Sequence, residues 1–160
     1  MAGERTVDAT GAEPGGGPEL FRLVRFWARR WASQVAVDAA GAAEVAHVHV
    51  VEAVHSAAYG RDVEVAVPEV AHQLGVDRSV ASRMVSAAAA AGYVHRQASA
   101  SDARRIGVRL TETGRELLAA AYRWQQETFD NLVAGWEPAD ASRFAGYLRR
   151  LADELLESPS

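Results

Sequence analysis

The sequence predicts a mainly α-helical protein with one small β-hairpin. Apolar residues recur at helical spacing over most of the chain that follows Pro18. Between Tyr93 and Leu110 the spacing changes to a two-residue alternation, which is typical of paired strands. Apolar residues make up 49% of the 160 residues, enough to form the core of one domain, or of one lobe with flanking helices.

Two short helices joined by a tight turn are predicted between Pro68 and Gly92. Proline is tolerated at the first helical position, and glycine ends a helix at low cost, here at Gly75 and Gly92. Asp77 is a good N-cap for the second helix, which should run from about Arg78 to Ala91. The residues expected on its buried face are Val80, Ala81, Met84, Val85 and Ala88.

The polar residues of the second helix lie mostly near its N-terminal end. A recognition helix presents that end to base edges in the major groove of DNA. Arginine can bind guanine with two hydrogen bonds, and serine is an adaptable partner, while Arg83 could instead hold a phosphate. Two helices and a turn alone fit an ordinary helical hairpin with a solvated polar face equally well. The candidate base-reading residues are Arg78, Ser79, Ser82 and Arg83.

A basic hairpin follows the second helix and favours the DNA-binding interpretation. Its polar tip contains Arg104 and Arg105, which on an exposed loop can reach phosphates or a narrow minor groove. Asp102 can hold Arg104 extended through a charge-assisted hydrogen bond. We count Arg96, on the first strand, with these DNA-facing residues. By itself the tip also fits a solvated charged turn, but the whole order is that of a winged helix-turn-helix.

The stretch from Val67 to Gly114 resembles the MarR family of bacterial transcription regulators. The resemblance is carried by the helix-turn-helix, by Gly92-Tyr93-Val94, by Asp102-x-Arg104 and by Val108-x-Leu110-Thr111-x-x-Gly114. It implies that Arg104 enters the minor groove. It also implies that a small, often aromatic or phenolic, molecule binds between the dimer helices and the winged lobe and weakens DNA binding. Residues available for such a pocket, unless they only pack in the core, are Trp27, Trp31, His47, His55 and Tyr59.

The charge distribution is compatible with a DNA-binding lobe. The whole chain carries a net charge of −4. The segment from Pro68 to Arg115 nevertheless contains seven arginines and four acids, a net charge of +3. Because phosphates meet the local surface, this segment is the expected site of contact with double-stranded DNA.

Four regions are expected along the chain. Residues 1–17 should form a disordered tail, residues 18–60 N-terminal helices, residues 61–110 the winged lobe, and residues 111–160 C-terminal helices. Within the second region, residues 44–58 alternate like a strand at His47-Val48-His49-Val50, and we expect a helix there because the family pattern needs one. A brief strand that pairs with the wing is expected within residues 61–67.

The terminal helices carry more apolar surface than a small lobe can cover. Pro18 and Pro138 can each open such a helix, and Thr111 is an N-cap candidate for a long helix between them. Burial in a two-fold homodimer would remove the apolar stripes from water. The alternative is that these apolar stripes pack against the core of their own chain.

Composition and motifs argue against several kinds of chemistry. The chain has no cysteine, which excludes disulfides and thiolate catalysis. Two Glu-x-x-His pairs, Glu44 with His47 and Glu52 with His55, are about 12 Å apart on one helix and cannot share a metal. We expect no metal, no cofactor and no enzymatic activity, since no nucleophile motif, P-loop or GxGxxG is present.

No membrane-spanning run or signal peptide is evident, so we expect a bacterial cytoplasmic protein, on the nucleoid when bound to its operator.

Two functions remain after these exclusions. The first is a transcription regulator, a repressor, that binds a pseudo-palindromic operator and is released by a small, possibly aromatic, ligand. The second is a ligand-independent architectural or partner-binding protein on the same fold. A ligand-dependent shift in DNA affinity would separate them.

Overall fold

A computed structural model describes residues 16–37, 39–98 and 106–156. The chain divides into two compact units, Met1–Ala43 and Glu44–Ser160. The first contains α1 and the beginning of α2, and the second contains all other elements given below. The helices are α1 (Gly16–Val37), α2 (Ala39–Ala57), α3 (Val67–Leu74), α4 (Arg78–Ala90), α5 (Glu112–Leu132) and α6 (Pro138–Leu156), and the strands are β1 (Val65–Ala66), β2 (Val94–Ala98) and β3 (Ile106–Leu110).

The predicted helix-turn-helix is α3, a tight turn and α4. Gly75 adopts φ +64°, and its backbone N–H donates to the carbonyl of His72 at 3.1 Å, which ends α3. Gly92 adopts φ +86° just after α4. Asp77 is the N-cap residue of α4, as expected, but its side chain makes no capping hydrogen bond. Gly75 therefore forms part of the turn between the two helices, and Gly92 lies where the chain leaves the second one.

The wing belongs to a three-stranded antiparallel sheet in the order β1-β3-β2. Val94 of β2 lies opposite Leu110, and Val65 of β1 lies opposite Val108. This confirms the brief strand expected before the helix-turn-helix, although Val67 already belongs to α3. Because β3 is paired on both sides, the hairpin is anchored in the lobe.

Small β-branched and alanine side chains fill the core of the second unit. Val50, Val51 and Val54 of α2 are fully buried, at spacings that place them on one side of a helix. This burial explains why the alternating segment of α2 is helical despite its β-branched residues. Core residues contributed by the other elements are Val65, Val67, Val70, Ala71, Ala81, Val85, Ala88, Val94, Val108 and Leu118.

A compact junction joins the turn after α4 to the start of α5. The Thr111 hydroxyl accepts from the backbone N–H of Gly114 at 2.9 Å, so Thr111 is the expected N-cap. The same hydroxyl donates to the carbonyl of Gly92 at 2.6 Å, and the Thr111 backbone N–H donates to the carbonyl of Tyr93 at 3.1 Å. Gly114 is buried so close to Tyr93 that a Cβ atom would overlap the Tyr93 carbonyl oxygen. The threonine and glycine of the Thr111-x-x-Gly114 pattern thus fix where α5 leaves the lobe.

The terminal helices leave large apolar side chains uncovered. No residue of α6 is buried within the described part of the chain, and Leu155 is 65% exposed. The ring of Phe144 packs against two aromatic rings, with its centroid 6.1 Å from that of Phe129 and 5.3 Å from that of Trp136. The other large apolar residues of α6, among them Leu148, Leu151 and Leu155, do not pack into the core of their own chain. In the first unit, α1 begins at Gly16, two residues before Pro18, and leaves Phe21 63% exposed.

Candidate nucleic-acid interface

The exposed face of α4 carries two arginines near its N-terminal end. Arg78, Ser79 and Arg83 are exposed, while Ala81 and Val85 point into the core. Neither Arg78 nor Arg83 has an ion-pair partner among the residues that the structure describes. Both guanidinium groups are therefore available to an external anion or to a base edge.

Arg96 of β2 links the wing to α4. Its guanidinium donates to the Ser86 hydroxyl, and to the Ser82 hydroxyl at 3.3 Å. The Ser86 hydroxyl in turn donates to the Ser82 backbone carbonyl at 2.8 Å. Because Ser82 accepts from Arg96, its own O–H remains a donor. Arg96 thus orients the α4 serines, in addition to whatever contact it makes outside the chain.

An open groove of about 410 Å³ runs between the wing strands and the helix-turn-helix. Arg78 and Ser82 line it from α4, and Arg96 and Ile106 line it from the two wing strands. Glu69 also lines the groove, and its carboxylate accepts from the Ala66 backbone N–H at 2.6 Å. Ile106, predicted as a regular member of the strand pattern, is 42% exposed because it borders this groove. Helix α4 and the two wing strands therefore share one concave, partly cationic surface.

Two further arginines of the basic segment are engaged by acids of their own chain. Asp62 receives two hydrogen bonds from Arg109, at 2.9 Å from Nε and 2.7 Å from a terminal nitrogen. Arg115 lies 3.6 Å from Asp62 and 2.7 Å from Glu112. The hydrogen bonds from Arg109 hold the pKa of the Asp62 carboxyl below its ordinary value, and the charges of Arg109 and Arg115 add to this effect. Counting residues in the sequence therefore overstates the positive charge that this segment offers to DNA.

Several predicted contacts lie outside the residues that the structure describes. Asp102, Arg104 and Arg105, at the tip of the wing, fall between residues 98 and 106. Their expected roles remain predictions. Of the residues that flank this segment, Ile106, the first residue of β3, lines the groove.

Three of the candidate effector residues, His47, His55 and Tyr59, belong to the second unit and have different surroundings there. His47 contacts Tyr93, with ring centroids 5.3 Å apart, whereas His55 contacts Tyr122 at 5.9 Å. Tyr59 is 67% exposed. Trp27 is half-buried in α1, and the side chain of Trp31 lies outside the described part of the chain. The effector site expected from the sequence stays a prediction.

Neither a metal cluster nor a membrane span is found where the structure describes the chain. Its described residues contain no group of three or more histidine and carboxylate side chains that could hold a metal ion. Over the same residues, no helix has the length and apolar character needed to cross a bilayer.

The fold is that of known transcriptional regulators. The structure matches the regulator SlyA with a TM-score of 0.60 at 21% identity, over 86% of this chain and 94% of SlyA. It matches a MarR-family regulator from Silicibacter pomeroyi with a TM-score of 0.63 at 18% identity, over 88% and 91% of the two chains. BpsR of Bordetella bronchiseptica gives a TM-score of 0.59 at 18% identity, over 86% and 93%.

At these identities the likeness establishes the fold alone. No protein-family model and no curated protein matches the sequence. The chain has the MarR-type winged-helix fold, mostly helical with a small antiparallel sheet, as the sequence predicted.

Proposed function

We propose that this chain is a sequence-specific, double-stranded-DNA-binding transcription regulator that acts as a repressor. The observation that carries the proposal is the shared groove, in which Arg78 of α4 faces the wing without an ion-pair partner in the described residues. A recognition helix beside a basic wing suits a major groove and its neighbouring minor groove. The protein would work in the bacterial cytoplasm, and on the nucleoid when bound.

Sequence-specific binding is tested by selection from random duplex DNA. After several rounds, the affinity of the full chain for the enriched duplex is compared with that for a shuffled duplex at fixed salt. Specific binders exceed their own non-specific affinity by about 10³-fold or more at physiological salt. A ratio near one would contradict the proposal, since the groove would then bind only the phosphate backbone.

A homodimer is expected to form through the terminal helices. The exposed stripe of α6, including Leu148, Leu151 and Leu155, would be removed from water by a second copy. Two lobes then bind a pseudo-palindromic duplex whose half-sites are spaced by about 34 Å, one helical turn. Light scattering at micromolar concentration should give twice the mass of the 17.2 kDa chain. A monomer that still binds DNA one-to-one would contradict this prediction.

Arg104 is expected to be the main contact of the wing tip. A minor-groove arginine senses groove width, because narrow A·T tracts concentrate negative potential. Arg104→Ala should weaken binding to all selected duplexes and reduce any preference for A·T-rich flanks. Asp102→Ala should act in the same direction more mildly, since it removes only the support of Arg104. Arg105→Ala is the internal control and should matter less.

Binding isotherms at several salt concentrations check the wing prediction. Each variant must first be shown to be folded by circular dichroism and dimeric by scattering. Full-strength binding by Arg104→Ala would mean that the minor-groove role is misplaced. If Arg104→Ala and Arg105→Ala lose equal DNA affinity, the wing tip contributes only its positive charge.

Release by a small, possibly aromatic, ligand is the second part of the proposal. It is supported by BpsR, whose DNA binding is regulated by 6-hydroxynicotinic acid. The competing function is a ligand-independent architectural or partner-binding protein, for which no effector would alter DNA affinity. Titrating candidate ligands against the chain bound to its selected duplex separates the two.

A further inference from the structure

Three polar side chains form a hydrogen-bonded chain between β2 and α4. One terminal nitrogen of the Arg96 guanidinium donates to the Ser86 hydroxyl, and the other donates to the Ser82 hydroxyl at 3.3 Å. The Ser86 hydroxyl donates in turn to the Ser82 backbone carbonyl at 2.8 Å. Helix α4 therefore holds the guanidinium at two points, and the single O–H of Ser86 is used within its own chain.

Ser82 differs from Ser86 in what its hydroxyl still offers. Its oxygen accepts from Arg96, and no acceptor for its own O–H is found among the residues that the structure describes. Ser82 also lines the groove of about 410 Å³, together with Arg96. An O–H donor without a partner in the described part of the chain therefore borders the groove.

The guanidinium of Arg96 fixes the direction in which Ser82 forms hydrogen bonds. A free serine hydroxyl can either donate or accept. Here Arg96 occupies one lone pair of the Ser82 oxygen, and its positive charge repels any further N–H donor that approaches the same oxygen. A hydrogen bond received from a cation also polarises the hydroxyl and strengthens it as a donor. Ser82 is therefore set to donate rather than to accept.

We propose that Arg96 is a positioning residue for base recognition, which makes Ser82 donate to an acceptor atom on the major-groove edge of a base. Guanine presents N7 and O6 there, adenine N7 and thymine O4, whereas cytosine presents an N–H donor. This inference rests on the proposed DNA-binding function and names the atoms that the groove reads. Arg78, one turn before Ser82 and also lining the groove, carries donors only. Both side chains thus suit base edges that are rich in acceptors.

A direct contact to phosphate is the other role open to Arg96, and the two roles have different signatures. A phosphate contact carries no sequence information, and its loss lowers the salt slope of binding by about 0.9. Loss of a positioning residue instead removes the preference at the base that Ser82 reads. Arg96→Met is the informative variant, because it keeps the aliphatic stem and removes every donor.

Selection from random duplex DNA first locates the base that Ser82 contacts. Ser82→Ala should lose the wild-type preference at one base position in each half-site, and Arg96→Met should lose it at the same position. Ser56→Ala, the same change at an exposed residue of α2, is the control and should select the wild-type site. Retained preference in Ser82→Ala or in Arg96→Met, or losses at two different positions, would overturn the proposal.

Base analogues then test the acceptor itself. Each acceptor of the located base pair is deleted in turn: N7 by a 7-deazapurine, guanine O6 by 2-aminopurine, and thymine O4 by 5-methyl-2-pyrimidinone. At one of these atoms the wild-type chain should lose affinity roughly 2- to 12-fold, which corresponds to one neutral hydrogen bond. Ser82→Ala and Arg96→Met should lose nothing further there. Losses that are equal in the wild type and in Ser82→Ala at every acceptor would overturn the proposal.

Salt dependence checks whether Arg96 acts through a phosphate. Arg96→Met and Arg123→Met remove the same charge, the second from an exposed position on α5. Arg123→Met should bind like the wild type. Arg96→Met should lose affinity by a factor similar to that of Ser82→Ala, with a salt slope that changes by much less than about 0.9. A slope lowered by about 0.9 together with an unchanged base preference would assign Arg96 to a phosphate and overturn the proposal.

A measurement without DNA separates this inference from the proposed function. NMR relaxation of the arginine side chains in the free wild-type protein should show the Nε–H of Arg96 more ordered than that of Arg83, which has no ion-pair partner among the described residues. Ser86→Ala should lower the order of Arg96 to that of Arg83. An Arg96 as mobile as Arg83 in the wild type would overturn the proposal. If the wild-type chain prefers no duplex, the proposed function fails, while this measurement still decides whether the serines of α4 hold Arg96.

Discussion

Arg78→Ala and Arg83→Ala should each weaken binding to the selected duplex by about 1–3 kcal/mol, roughly 5- to 150-fold. Both side chains are exposed on the outer face of α4, and neither has an ion-pair partner in the described residues. A lost arginine–guanine contact leaves polar base atoms unpaired, and the loss is specific to one base position. We expect Arg78 to make this kind of contact because it borders the groove.

The salt dependence of binding separates a base contact from a phosphate contact. The logarithm of the binding constant falls against the logarithm of salt concentration with a slope of about −0.9 for each neutralised phosphate. Arg83→Ala should reduce that slope by about one if Arg83 holds a phosphate, and should leave it unchanged if Arg83 reads a base. Arg123→Ala is the matched control, because it removes the same charge from α5. If Arg78→Ala and Arg83→Ala both bind like the control, the role assigned to α4 is wrong.

Gly114→Ala should destabilise the protein by about 1–3 kcal/mol or more, since overpacking of this kind forces backbone shifts. Gly114 is helical, and by helix propensity alone alanine would be preferred there by about 1 kcal/mol. The added Cβ atom would overlap the backbone carbonyl oxygen of Tyr93, which cannot move without breaking its hydrogen bond to Thr111. A lower free energy of unfolding for Gly114→Ala would therefore indicate that α5 closely approaches the turn after α4.

Gly146→Ala provides the control for helix propensity. Gly146 lies inside α6, and a Cβ atom there would meet nothing within 4 Å. This substitution should stabilise the protein by about 0.5–1 kcal/mol. Urea unfolding at one fixed protein concentration measures both variants, because a dimer's stability depends on concentration. A stability gain for Gly114→Ala equal to that of Gly146→Ala would contradict the junction described above.

Local signals in the sequence predicted most of the lobe. Gly75 and Gly92 predict the ends of two helices, because glycine accepts positive φ at low cost, and both residues adopt it. The position of Thr111 before an apolar periodic segment predicts an N-cap, and Thr111 caps α5. These features depend on residues within a few positions of one another, which is why the sequence alone reveals them.

Contacts between distant residues could not be predicted in the same way. The Asp62–Arg109 pair joins residues 47 positions apart, and only the pairing of β1 with β3 brings their segments together. As a basic residue of the wing, Arg96 is predicted to face DNA, whereas the structure also shows it bound to the serines of α4. In the sequence Gly114 is only one residue of a family pattern. The structure explains the glycine, because the Tyr93 carbonyl oxygen leaves no room for a Cβ atom there.

The central claim is that α4 reads base identity in both half-sites of a pseudo-palindrome. The most direct measurement is to repeat the selection from random duplex DNA with Arg78→Ala and to compare its enriched sites with those of the wild-type chain. We predict that preference relaxes at one base position in each half-site, symmetrically, while the remaining positions and the spacing of about one helical turn are kept. Identical sites from the wild-type and Arg78→Ala proteins, or sites without two-fold symmetry, would contradict the claim.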